Sequence, residues 1–213
     1  MNALSEPSAD CGLCPRLAAF RQENRVAHRD FFNAPVPGFG ALESRLLIVG
    51  LAPGLKGANR TGRPFTGDFA GDLLYDTLGK FGFASGTYGK SPEDGLNLID
   101  CRVTNGVRCV PPQNKPVGAE INACRDFLKQ EIDAMPNLQV IVALGGISHG
   151  TVLATLGQRK AAWPFAHGAV HRLPDNPVLT DSYHCSRYNT NTRRLTEDMF
   201  HDVFEIVRAE LDG

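Results

Sequence analysis

Along this chain the hydrophobic positions fall into two rhythms. Arg45–Gly50 is almost continuously apolar and stops on glycine, as a strand buried on both faces does. Gln139–Gly146 repeats that form, Leu96–Asn105 alternates after a turn-rich stretch, and Pro177–Thr180 is a fourth run, with a weaker candidate at Ala169–Leu173. Helical spacing marks Pro15–Val26, Phe69–Leu78, Ala119–Ala134, Ser148–Leu156 and Thr192–Leu211. Strands alternating with helices predict parallel pairing, hence an α/β fold: a three-layer α/β/α sandwich around a short, mostly parallel four-stranded sheet.

A chain of 213 residues accommodates one domain with a real core, so residues 1–213 are expected to form a single unit. Nothing at the N-terminus reads as a signal peptide, and no run approaches the ~20 apolar residues of a membrane span. The expectation is a soluble, cytoplasmic monomer. A net charge of −1 gives the molecule no overall attraction for nucleic acid. The cations are nevertheless placed unevenly: Lys56, Arg60 and Arg63 in one loop, Arg187, Arg193 and Arg194 in another, and Arg102, Arg108 and Lys115 between.

Two loops at predicted strand ends carry the chemistry. One is Gly50-Leu51-Ala52-Pro53-Gly54, continuing to Pro64-Phe65-Thr66-Gly67-Asp68; the other is His184-Cys185-Ser186-Arg187-Tyr188. Gly/Pro-rich loops let the backbone approach a ligand, and open α/β sheets bind ligands at the carboxyl ends of their strands. The first loop lacks the Gly-Lys-Ser/Thr ending of a P-loop, and no strand leads into Gly38-Phe39-Gly40 to make a dinucleotide fingerprint.

Cys11 and Cys14 form a C-x2-C pair, and Cys109 and Cys124 make a second pair with 14 residues between them. In a cytosolic protein such spacing favours metal binding over a disulfide, and four thiolates suit zinc or an iron–sulfur cluster alike. A thioredoxin-type role for Cys11 and Cys14 fits poorly, since no strand precedes them. Cys101 lies within an apolar strand pattern and is expected in the core.

Four segments together resemble the iron–sulfur members of the uracil-DNA glycosylase superfamily: Gly50–Gly54, Gly62–Gly67, Asn105-Gly-Val-Arg-Cys109-Val-Pro-Pro-Gln-Asn114 and His184-Cys185-Ser186, with the cysteines in matching order. The resemblance runs from Cys11 to the last helix. The uracil-restricted branch carries a glutamate after the first glycine of its loop; Leu51 stands here, which resembles the type B branch, family 5, whose members accept several damaged bases.

The resemblance implies a monofunctional DNA glycosylase that hydrolyses the N-glycosidic bond of uracil, and of bases such as hypoxanthine, to leave an abasic site. Its partner would be DNA carrying such a base. It implies a 4Fe–4S cluster on Cys11, Cys14, Cys109 and Cys124. Phe65 would stack on the extruded base, Asn105 would read it, His184 would donate to a base oxygen, and Asp68 would stabilise the sugar cation and orient water, with Asp72 as the rival carboxylate. Backbone amides of Gly50, Ala52 and Gly54 beside Pro53, with Ser186 and Arg187, would hold phosphate or base oxygens. Cys185 departs from the family's usual His-Pro-Ser, and with Leu51 it motivates the competing expectation of a nucleic-acid-binding protein that has kept the fold and lost catalysis.

Overall fold

Strand formation follows the apolar runs, and burial on both sheet faces explains their continuity. The computed structural model describes residues 4–213. In chain order its elements are α1 (Pro15–Ala27), β1 (Leu46–Gly50), α2 (Ala58–Thr61), α3 (Phe69–Lys80), β2 (Ala84–Ser85), β3 (Asn97–Leu98), β4 (Cys101–Asn105), α4 (Gly118–Asp133), β5 (Val140–Leu144), α5 (Gly146–Thr155), β6 (Val170–His171), β7 (Val178–Ser182), α6 (Arg187–Asn191) and α7 (Glu197–Asp212). The main sheet has the order β4-β1-β5-β7-β6. Its first four strands are parallel, and β6 pairs antiparallel with β7 at the edge. The sheet thus has five strands rather than the expected four; the extra one is the weak Ala169–Leu173 run, which pairs over only two residues.

Alternate residues of β1 point to opposite layers. Leu46 and Ile48 meet Leu74 and Leu78 of α3 and Phe200, Val203, Phe204 and Val207 of α7 in one core cluster. Leu47 and Val49 join Leu128 and Ile132 of α4 and Val152 and Leu153 of α5 in the other. Each such side chain, fully buried, stabilises the fold by about 1.5–3 kcal/mol relative to exposure.

Two sequence boundaries move. The Leu96–Asn105 run is broken at Asp100, whose φ of 52° turns the chain, so β3 pairs with β2 and only β4 joins the main sheet. The helix expected from Thr192 starts instead after Thr196, whose side chain accepts the Met199 N–H, because Arg193 at φ 57° ends the short α6 first. The distribution of cations is also corrected. Glu131 of α4, fully buried, takes the Arg102 and Arg108 guanidinium groups of the β4 side at 2.6 Å each. Arg63 is buried against Asp94. These three arginines satisfy interior carboxylates and are not surface charges for a polyanion; Lys56, Arg60, Lys115, Arg187, Arg193 and Arg194 stay exposed. Among the described residues no helix is long and apolar enough to cross a membrane.

Candidate active site

Register alone brings the two motif loops together. Gly50 is the Cα partner of Asn105, and Leu144 that of Ser182, so β1, β4, β5 and β7 end at one rim. Beyond that rim the Gly106 and Val107 N–H groups donate to the Gly50 and Leu51 carbonyls at 2.9 and 3.0 Å, zipping the loop after β1 to the loop after β4.

Gly50 is required where it stands. A β-carbon there would overlap the Phe65 ring on one side and Asn105 Oδ1 on the other. The missing side chain therefore lets an aromatic face and a carboxamide approach across one α-carbon. Asn105 is buried, yet among the described residues its amide makes no hydrogen bond to the protein, leaving donors and acceptor available to a ligand. The N–H groups of Ala52 and Gly54, on either side of the buried Pro53, likewise have no acceptor among the described residues.

Phe65 is buried and lies at φ 52°, a left-handed conformation that costs a non-glycine residue about 1–3 kcal/mol. Its ring centroid is 6.1 Å from that of His184, tilted by 30°. His184 retains partial exposure, while its Nδ1 is buried with no hydrogen-bond partner among the described residues. Burial pushes the imidazole down to about 4, so the ring is neutral at physiological pH. A neutral ring protonated on Nε2 presents a hydrogen-bond donor on the side away from the buried Nδ1. Gly145 lies at φ 94°, where a side chain would be strained, and a β-carbon there would make only ordinary contact with the His184 β-carbon, at 3.6 Å.

Asp68 caps α3, its carboxylate accepting the Gly71 N–H at 3.4 Å. β-carbons on Gly57 or Gly54 would press on Asp68 Oδ2, so the carboxylate fits beneath the loop after β1. Burial raises its pKa, opposed by backbone hydrogen bonds from Gly71 and Ala70 and by the Arg187 charge. Asp72, one turn on, instead pairs with Lys90 at 2.8 Å at the surface. Ser186 caps the short α6 by accepting the Asn189 N–H at 3.4 Å, and exposed Arg187 lies 5.4 Å from the Phe69 ring centroid. Cys185 is fully buried, in the core cluster that also contains Phe65.

A second centre lies beside the first. Cys11, Cys14, Cys109 and Cys124 line one recess with Leu13, Leu17, Val107 and Phe127. Arg21 Nη1 donates to Cys109 Sγ at 3.6 Å, and the Arg108 backbone N–H to Cys124 Sγ at 3.3 Å. Burial pushes the Cys109 and Cys124 thiols up to about 11. Among the described residues, one set of three ligating side chains has its atoms within 4.8 Å of one another: His149, His171 and Asp181. These already satisfy one another, with Asp181 bridging His149 Nδ1 at 2.8 Å and His171 Nε2 at 2.9 Å.

Residues that the motifs did not single out surround the Phe65 turn. Arg63, Tyr75, Tyr88 and Asp94 bond to it or to one another. Arg63 lies inside the matched Gly62–Gly67 segment, but Tyr88 and Asp94 fall in a turn-rich stretch with no periodicity that could have marked them.

A family model described as the uracil DNA glycosylase superfamily matches residues 37–208. The Type-5 uracil-DNA glycosylase of Thermus thermophilus is 48% identical over 198 residues, spanning 91% of this chain and 90% of that protein. The Type-5 enzyme of Mycobacterium leprae is 42% identical over 202 residues, 91% of this chain and 88% of that one. That of Pyrobaculum aerophilum is 36% identical over 205 residues, 94% and 89% respectively.

Proposed function

The chain belongs to the uracil-DNA glycosylase superfamily, and on that premise we propose that it is a DNA N-glycosylase of the type-5 kind, excising uracil and also hypoxanthine to leave an abasic site. The observation that carries the reading is the convergence of four groups on one rim: the Phe65 ring, the unpartnered Asn105 carboxamide, neutral His184 and the Asp68 carboxylate.

Chemistry on a base requires taking it out of the stack, at an unstacking cost of a few kcal/mol. Phe65 gives the extruded base a face to stack on, and Asn105 pairs with its edge through one donor and one acceptor. As the glycosidic bond lengthens, negative charge moves to the base and positive charge to the sugar. His184, uncharged in its buried seat, donates from Nε2 to a base oxygen and stabilises the leaving anion without surrendering a proton. Asp68 faces the developing sugar cation and orients the water that attacks it. The free N–H groups of Ala52 and Gly54, with Ser186 and Arg187, hold base or phosphate oxygens beside the lesion. In this reading residues 1–213 act as one glycosylase domain, and Leu51, which cannot exchange a proton, leaves water activation to Asp68.

The four-cysteine recess supports the reading of a 4Fe–4S cluster that Cys11, Cys14, Cys109 and Cys124 would hold. Its apolar lining and the two N–H donors aimed at sulfur suit such a cluster. When bound, the cluster supplies structural cross-linking; the hydrolytic steps belong to the residues of the cleft.

The test is base release from duplex oligonucleotides carrying one uracil, one hypoxanthine or no damaged base, read by alkaline cleavage at the abasic product. Release from both lesions and not from the undamaged duplex is expected. Folded, iron-loaded protein that binds DNA and releases no base would replace this reading with a non-catalytic binder.

Cys185→Pro is expected to maintain or raise the rate of release. The Cys185 N–H donates no hydrogen bond among the described residues, so proline removes none, and its fixed φ stiffens the loop carrying His184 and Ser186. A loss of tenfold or more in single-turnover rate would show that the loop needs a conformation proline forbids.

A further inference from the structure

We propose that Tyr88 and Asp94, on the loop joining β2 to β3, are positioning residues that hold the Phe65 ring in its stacking pose. The proposal rests on the reading of Phe65 as the stacking platform. A left-handed phenylalanine persists only where its surroundings fix it, and here they do so through the backbone. Tyr88 Oη donates to the Phe65 carbonyl at 3.1 Å and accepts the Gly67 N–H at 3.1 Å, stapling both sides of the turn with one hydroxyl. Tyr75 Oη donates to the preceding carbonyl, that of Pro64, at 2.5 Å.

Asp94 acts one step further out. Its carboxylate takes the Arg63 guanidinium fork at 2.9 and 2.7 Å, both side chains being about 5% exposed. Arg63 in turn donates from Nε to Thr66 Oγ1 at 2.8 Å and lies 5.0, 5.6 and 5.9 Å from the Phe39, Tyr75 and Tyr88 ring centroids. Asp94 also accepts the Gly89 and Leu96 N–H groups at 2.8 and 3.0 Å, which fixes the loop that carries Tyr88. Two residues some 25 positions downstream of the stacking motif thus close a hydrogen-bonded ring around Pro64–Gly67. Proximity catalysis is sensitive to such supports, since a shift of about 1 Å at a reacting group can cost about 100-fold.

The experiment is a double-variant cycle on the cluster-loaded protein with a uracil-containing duplex, reading single-turnover release, duplex affinity and thermal midpoint. Tyr88→Phe removes only the hydroxyl and keeps the ring packed on Tyr75 at 4.7 Å; Asp94→Asn keeps the volume and removes the charge. Each is expected to slow release about tenfold while leaving affinity for undamaged duplex unchanged. The discriminating result is non-additivity: in a Phe65→Ala background Tyr88→Phe should cost nothing more, because no ring remains to position. Additive losses, or wild-type rates in both single variants beside a slow Phe65→Ala, would overturn the positioning role alone. A wild-type rate for Phe65→Ala would overturn the stacking reading and this proposal with it.

Discussion

Asp68→Asn is expected to slow single-turnover release of uracil by about 1,000-fold, or ~4 kcal/mol of transition-state stabilisation, while folding and duplex binding persist. The separation of those effects follows from what Asp68 does besides chemistry. It caps α3 through an acceptor oxygen, and asparagine is an equivalent cap with almost the same volume. Only the charge is lost, and it is lost where burial makes it count most: beneath the loop after β1, against Gly54 and Gly57. The wild-type pH profile should carry the same signature. The reaction uses the ionised carboxylate, and burial raises the Asp68 pKa, so the rate should fall on the acid side at a higher pH than an ordinary aspartate would give. The acid limb should disappear in the residual activity of the variant. Asp72→Asn, which breaks only a surface pair with Lys90, should stay within about twofold of wild type. Equal losses for the two carboxylates would assign the work to both, and loss of duplex binding in step with rate in Asp68→Asn would mean a folding defect.

The part of this arrangement legible in the sequence is the part that depends on local rules. Gly50 ends an apolar run, and the need for glycine there is visible because a strand stopping on glycine marks a close approach. Asn105 ends β4 and His184 stands two residues past β7, whereas Phe65 and Asp68 lie on the long loop that follows β1 and leads into α3, and were marked by their motif. What the sequence hid depends on distant pairing. Glu131 falls on the buried stripe of α4, three residues after Leu128, where a carboxylate is out of keeping with the apolar face, and its burial becomes intelligible only once the β4 side delivers Arg102 and Arg108 to it. Arg63 reads as a loop cation until Asp94, 31 positions away, is folded against it. The broken run at Asp100 and the displaced start of α7 share another cause: single non-glycine residues at positive φ, which no hydrophobic periodicity records.

Cys14→Ser is expected to release α1 from the body of the protein and to lower the thermal midpoint by about 10 °C or more, the scale for losing ~3–5 kcal/mol in a domain of this size. Apart from cysteine ligation the helix rests on a small apolar cluster, Leu17, Val107 and Cys124 with Cys14, Cys109, Ala52, Ile121 and Phe127 at the margin. Hydrogen bonds from Arg25 Nε to the Asn33 carbonyl at 3.1 Å and from the Asn33 amide to the Asn24 carbonyl at 3.3 Å add to it. The charged supports, Arg16 on Glu120 at 2.7 Å and Arg25 on Asp10 at 2.5 Å, are partly exposed, and solvent screening leaves such pairs little weight. In the proposed reading, cross-linking by a cluster would supply much of the docking energy, as metal binding does wherever the ligands must be gathered by folding. The consequence reaches the cleft through Val107, two residues beyond Asn105, and through Ala52 in the loop after β1. Amide exchange should accordingly speed up in residues 15–27 and, less strongly, in 51–54 and 105–109, with base release falling as Asn105 loses its fixed place. Wild-type protein purified without oxygen should hold about four irons and four sulfides per chain. One zinc and no iron would overturn the cluster, and unchanged exchange in residues 15–27 after Cys14→Ser would show that α1 is held by packing alone.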